Sequence, residues 1–297
     1  MRLPQIAYRR EQWETPDGDF IELDWLNGGA DTPLVVLFHG LEGNSQSHYA
    51  LRMMAALQDK GWRGLVVHFR GCGGKLNRLP RSYYCGDSAE IDWILRRLRT
   101  TQGGTIHAVG VSLGGNALLK WLGEQREQAC PIIANAVAVS APLALPTTGH
   151  VLGHGFNKFY ALQFLKTLRP KALAMIDKHQ LNFDKAAIQK VRNLWHFDGL
   201  FIAPLHGFRD ADECWEKGNS RPFLKTIKVP TLLINARNDP FLPEQDLPAQ
   251  HEVADSVIRD FPRHGGHVGF ACHIYGTAHN RRDWLPQRIL YFLEHGT

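Results

Sequence analysis

Short apolar runs alternate with amphipathic stretches along most of this chain. Leu34-Val35-Val36-Leu37-Phe38 and Leu65-Val66-Val67-His68-Phe69 are near-continuous apolar runs, as expected of strands buried on both faces. Thr105 to Val111, Ala134 to Ser140, Pro230 to Asn235 and Ser256 to Phe261 also carry strand signals. Between them lie residues at helical spacing: Leu51, Met54, Ala55 and Leu57 after a capping Ser47; Ile91, Ile94, Leu95 and Leu98 after Asp87; Ala117 to Trp121; and Ile289, Leu290, Phe292 and Leu293 near the end. Trp13 to Leu26 reads as a hairpin turning at Pro16-Asp17-Gly18-Asp19. From about residue 146 to 220 no strand pattern occurs, and Phe156, Phe159, Tyr160, Phe164 and Leu168, then Ala187, Ile188, Val191, Leu194 and Trp195, recur at helical intervals.

Strands alternating with helices predict an α/β fold, with a mostly parallel sheet covered by helices on both faces. The expected organisation is a core in two parts, 1–145 and 221–297, interrupted by a helical cap insertion over 146–220. In such sheets the site lies beyond the carboxyl ends of the strands, and three strand-end loops carry reactive residues. Gly110-Val111-Ser112-Leu113-Gly114 spells G-x-S-x-G at a strand-to-helix turn, where a strained serine stands above the sheet edge and glycines avoid collision with its neighbours. Asn235 to Phe241 holds Asp239, and His264 to Phe270 holds two histidines. The order Ser, Asp, His is that of an α/β-hydrolase sheet.

The chemistry needs all three residue types. A serine needs a base within hydrogen-bond reach, histidine supplies it, and a carboxylate sets the tautomer and stabilises the imidazolium. Asp239 directly follows its strand, whereas Asp246 and Asp255 sit in the connection beyond. His264 competes with His267; the first could simply end the strand, while Gly265-Gly266 lets the backbone carry the second across the site. His273 and His279 read as surface or helix-start residues. An ester-cleaving site also needs donors for a tetrahedral oxyanion, and the N–H groups of Leu113 and Leu41 are the candidates. His39 is expected to brace the Leu41 loop.

Composition narrows the partners. The 297 residues carry a net charge of +5, and the densest basic group, Arg96-Arg97-Leu98-Arg99, lies on a predicted helix. It reads as a solvated face, not a nucleic-acid patch. The 5 cysteines (Cys72, Cys85, Cys130, Cys214 and Cys272) form no C-x-x-C pair, which argues for a reducing compartment and against a zinc site. Met1 to Arg10 has no apolar core, and the longest apolar run, Ile132 to Pro146, is too interrupted to span a bilayer. A cytoplasmic protein with no metal or organic cofactor is expected. Its partner would be a small-molecule acyl ester; the sequence is silent on oligomeric state.

Together these segments resemble the YheT-type (EMB-type) α/β-hydrolases, bacterial relatives of the ABHD lipid hydrolases. The matching pieces are Phe38-His39-Gly40-Leu41-Glu42-Gly43-Asn44, His68-Phe69-Arg70-Gly71-Cys72-Gly73-Gly74, Gly110 to Asn116, Asp239-Pro240-Phe241, His264 to Phe270, and Ala203 to Phe208. The resemblance implies a charge-relay set of Ser112, Asp239 and His267 and carboxylic-ester hydrolysis. The chain departs from the family pattern at Tyr83-Tyr84-Cys85-Gly86 and Cys214-Trp215. Its aromatic insertion is expected to favour apolar acyl chains of short to medium length. Two other functions compete. One is acyl transfer, for which His179 to Asp184 spells H-x-x-x-x-D; the other is a binding module that keeps the fold without catalysis.

Overall fold

The structure is a computed structural model; it describes residues 3–270 and 284–297, without the side chain of Phe156. Cys272, His273 and His279 lie outside the described residues. Eight strands form one sheet in the order β1-β2-β4-β3-β5-β6-β7-β8. They are β1 (Arg9–Glu14), β2 (Phe20–Leu26), β3 (Leu34–Phe38), β4 (Arg63–His68), β5 (Ile106–Val111), β6 (Asn135–Val139), β7 (Thr231–Ile234) and β8 (Val257–Asp260). β2 pairs antiparallel with β1 and with β4. Every pairing from β4 through β3, β5, β6 and β7 to β8 is parallel.

The unbroken apolar runs have the physical reason anticipated. Leu34, Val36 and Phe38 of β3 join a core that includes Ile91 and Leu95 of α2 (Ser88–Thr101) and Leu118 of α3 (Leu113–Gln125). Val35 and Leu37 join the opposite core with Met53 and Leu57 of α1 (His48–Asp59) and Ile289 and Leu293 of α10 (Trp284–His295). Both faces of β3 are therefore buried, and a polar residue on either would lose its water. The hairpin begins at Arg9, four residues before Trp13. Its first strand is mostly exposed and charged, so no alternation announces it. The basic group on α2 is a solvated face: Arg96 pairs with Asp92, Arg97 lies over the Trp13 ring at 4.2 Å, and Arg99 donates to the Gly104 carbonyl.

Between β6 and β7 the described chain is helical. The helices are α4 (Leu145–Leu152), α5 (Lys158–His179), α6 (Lys185–Lys190), α7 (Leu194–Phe197), α8 (Ala203–Leu205) and α9 (Ala211–Gly218), with a π turn at Asp198–Ile202. They share a core of their own that includes Leu165, Leu168, Ile188, Phe197, Phe201 and Trp215. Asn116, on the first turn of α3, ties this segment down. Its side-chain amide donates to the Cys85 carbonyl at 2.7 Å and the Gly218 carbonyl at 2.8 Å, and its oxygen accepts the Ser220 N–H at 3.0 Å. The four free cysteines among the described residues are Cys72, Cys85, Cys130 and Cys214. No helix among the described residues is long and apolar enough to cross a membrane.

Candidate active site

Parallel strands running the same way deliver their following loops to one edge of the sheet. Ser112 follows β5 with φ 52° and ψ −119°, a backbone region that costs a non-glycine residue on the order of 1–3 kcal/mol. The flanking glycines let that turn close. A Cβ on Gly110 would lie 2.5 Å from the Gly114 carbonyl oxygen, and one on Gly114 would strike the carbonyls of Phe38 and His39. The Ser112 N–H is spent on the Val139 carbonyl at 2.8 Å, so the turn is pinned to β6 while its hydroxyl stays free to face the cavity.

His267 Nε2 lies 3.0 Å from Ser112 Oγ, and His267 Nδ1 lies 2.8 Å from Asp239 Oδ2. A carboxylate only accepts, so Nδ1 carries the proton and Nε2 is left to accept from the serine hydroxyl. The Asp239 side chain is 0% exposed. Its other oxygen accepts the Phe241 N–H at 2.9 Å, which fixes the carboxylate plane. The Phe241 ring backs the imidazole at a centroid distance of 4.5 Å. The loop bearing His267 is clasped to the loop bearing Asp239 by Asn238, whose Oδ1 accepts the N–H groups of both Gly265 and Gly266 at 2.9 Å. Gly266 takes φ 58°, the left-handed turn that sends the chain back across the sheet edge.

The competing residues stand elsewhere. His264 is exposed, and no described residue hydrogen-bonds its ring. Asp246 ends a 3-10 turn (Glu244–Asp246), and Asp255 is exposed ahead of β8. Asp184 of the H-x-x-x-x-D stretch caps α6, accepting the Ala187 N–H at 2.9 Å. His39 is fully buried; its Nε2 accepts the Phe69 N–H at 3.1 Å and its Nδ1 donates to the Gly40 carbonyl at 2.7 Å. Burial pushes its pKa down to about 3, so it braces the loop as a neutral ring.

That loop carries Leu41. Among the described residues neither the Leu41 nor the Leu113 N–H has an acceptor, and both residues flank the cavity that Ser112 and His267 open into. Tyr49 and Tyr83 hold the loop in place: each hydroxyl accepts a loop amide at 2.9 Å, from Gly40 and Glu42 respectively. Sequence reasoning passed over both tyrosines, Asn238 and Asn116. Asn116, Asn238 and Tyr83 sit inside or beside segments already singled out, though with no role given to them, whereas nothing marks Tyr49. Leu145, Leu152, Phe164, Leu168 and Ile202 of the β6–β7 segment give the cavity an apolar wall, and Asp198 interrupts it. Among the described residues, no group of three or more His, Cys, Asp or Glu side chains could hold a metal ion.

The sheet order, the strained serine and the cavity beyond the strand ends define the class, and the chain belongs to the alpha/beta hydrolase fold family, whose pattern matches residues 33–271. Within that family it is 38% identical over 285 residues to the candidate esterase YheT of Escherichia coli (strain K12), covering 94% of this chain and 82% of that protein. It is 28% identical over 318 residues to phospholipase ABHD3 of Mus musculus, covering 99% and 74%. The monoacylglycerol lipase of Saccharomyces cerevisiae (strain ATCC 204508 / S288c) is 25% identical over 306 residues, covering 96% and 63%. Among solved structures, the esterase Pf2001 of Pyrococcus furiosus superposes with a TM-score of 0.62 at 18% identity, covering 97% and 90% of the two chains. The last likeness speaks to the fold alone.

Proposed function

We propose that the protein is a serine hydrolase that cleaves carboxylic esters through an acyl-enzyme at Ser112. The observation that carries this reading is the unbroken line from Ser112 Oγ through His267 to the buried Asp239 carboxylate. In the first step Oγ attacks the ester carbonyl carbon while its proton passes to His267 Nε2. The oxyanion is received by the idle N–H groups of Leu41 and Leu113, at the positive end of α3. Collapse of the tetrahedral species breaks the carbon–oxygen bond, and His267 returns the proton to the departing alcohol. Water then repeats the sequence with His267 again as base, releasing the acid and restoring Ser112.

The α4–α9 segment acts in this reading as a cap over 146–220, set between the two core parts 1–145 and 221–297. Its apolar wall suits acyl chains of short to medium length, each buried methylene adding roughly 0.8 kcal/mol at most. The names of the ABHD3 phospholipase and the yeast monoacylglycerol lipase support an ester of lipid origin. The unpaired cysteines support a reducing, cytoplasmic setting. A fluorophosphonate probe tests the nucleophile: the wild type labels and Ser112→Ala does not. A kcat/KM series over acetyl, butyryl, octanoyl and palmitoyl esters tests the pocket, with a maximum expected before palmitoyl. Labelling that persists in Ser112→Ala overturns the nucleophile assignment, and a steady rise through palmitoyl overturns the chain-length assignment.

A further inference from the structure

One wall of the cavity is chemically out of place. Among the described residues Asp198 is the only carboxyl lining it, and no Lys or Arg side chain joins the lining. Trp215 Nε1 donates to Asp198 Oδ2 at 2.6 Å; no other hydrogen bond or ion pair reaches the carboxyl from the described residues. Burial pushes its pKa up to about 7, with the indole N–H as the one group pulling the other way. The tryptophan is itself immobilised, because its ring packs where any side chain on Gly149 of α4 would have to lie. One carboxyl oxygen is thus held by a fixed donor, and the other is left without a partner inside a mostly apolar pocket.

Two costs coincide at this residue. A half-buried carboxyl set in a mostly apolar wall, with one oxygen lacking a partner among the described residues, gives up part of the hydration it would have in open water. Asp198 also opens the π turn Asp198–Ile202, in which the Ala203 N–H reaches back to the Asp198 carbonyl, a helix form that is rare and concentrated at functional sites. A packing role for Asp198 would be served better by a leucine. Both costs make sense if a ligand completes the hydrogen bonding.

We infer that Asp198 binds a hydroxyl group carried by the substrate, and so selects hydroxylated acyl esters over their plain counterparts. The inference rests on the ester-hydrolase reading of Ser112, which opens into the same cavity. The hydroxyl donates to the unpartnered oxygen of Asp198 while Trp215 holds the other. The hydroxyl could sit on the acyl chain or on the alcohol portion, according to which end of the ester faces α7 and the π turn.

Three esters separate these sources: ethyl octanoate, ethyl 8-hydroxyoctanoate and 2-hydroxyethyl octanoate, followed by pH-stat titration at pH 8. The proteins are wild type, Asp198→Leu, and Asp198→Leu combined with Trp215→Phe, the last removing both hydrogen-bonding partners so that neither is orphaned. Circular dichroism and Tm report the fold. In one of the two arms, the wild-type ratio of kcat/KM for hydroxylated over plain ester should exceed that of the folded variants by about tenfold or more. Equal ratios in both arms overturn the inference. Should the wild type cleave none of the three, the hydrolase reading fails, and binding of octane-1,8-diol against octan-1-ol decides the inference by calorimetry. A diol preference about tenfold weaker in the double variant upholds it, and an unchanged preference overturns it.

Discussion

Replacing Asp239 by Asn isolates one term in the proposed reaction. The asparagine oxygen can keep the 2.9 Å bond from the Phe241 N–H, which leaves the loop in place. Its amino group then faces His267 Nδ1, where the carboxylate stood 2.8 Å away. The imidazole answers by moving its proton to Nε2, so the ring offers Ser112 a donor instead of a base. The electrostatic loss can be sized from the geometry. A carboxylate and an imidazolium at that distance attract by ~6 kcal/mol at an effective dielectric of about 20. If the whole of it stabilises the transition state, kcat/KM falls by roughly four orders of magnitude. The assay is hydrolysis of p-nitrophenyl butyrate, with Tm and circular dichroism to show that the variant is folded. A folded Asp239→Asn within about tenfold of wild type, a loss under 1.4 kcal/mol, refutes the argument. A comparable loss in Asp246→Asn would mean that the wrong carboxylate has been paired with the histidine.

Further expectations follow from other parts of the molecule. Ser112→Gly and Ser112→Ala should both abolish hydrolysis, but the glycine variant should be the more stable by roughly 1 kcal/mol in urea titration, because it alone relieves the positive φ. His267→Ala should be inactive in the same ester assay while His264→Ala keeps nearly all activity; the reverse pattern would overturn the assignment of the base, since His264 is exposed and has no hydrogen bond to its ring among the described residues, whereas His267 reaches both Ser112 and Asp239. Asn116→Ala orphans two carbonyls and an N–H and should cost about 3 kcal/mol of stability, read from denaturant midpoints. His39, held near a pKa of about 3 by burial, stays neutral in the fold but takes up a proton when unfolded below pH 6.5. Its contribution is intact above that pH and is lost on acidification, by about 2 kcal/mol at pH 5; His39→Gln should flatten the fall in urea stability between pH 7.5 and 5 by that amount.

What the sequence reveals here depends on the range of the interaction. β3 is readable because burial on both faces leaves no place for a polar residue, and that constraint is written in five adjacent letters. Ser112 is readable because a turn so tight excludes side chains at its neighbours. The pairing of Asp239 with His267 required only that both loops end at one sheet edge, which the alternation of strands and helices already implies. Asn116 shows where this stops. It is a neighbour of the serine in sequence, yet its partners at Gly218 and Ser220 are more than a hundred residues away. Asp198 is hidden for the same reason, since its meaning comes from Trp215 and from the cavity, neither of which a local pattern encodes. Helix α5 continues from Lys158 to His179 straight through Pro170, so packing overrides a residue that would ordinarily mark a boundary.

The distance along the chain between Ser112 and His267 also governs when the serine becomes dangerous. They are 155 residues apart. At ordinary rates of translation the serine leaves the ribosome roughly 8–30 s before the histidine proposed to activate it. Throughout that interval the hydroxyl has no base and is as inert as any serine on a growing polypeptide. In the proposed reaction, a product truncated or stalled before His267 lacks the base it needs to attack an ester. A fluorophosphonate probe added to a translation reaction would therefore report completed folding of this protein, molecule by molecule, and would stay silent toward its fragments.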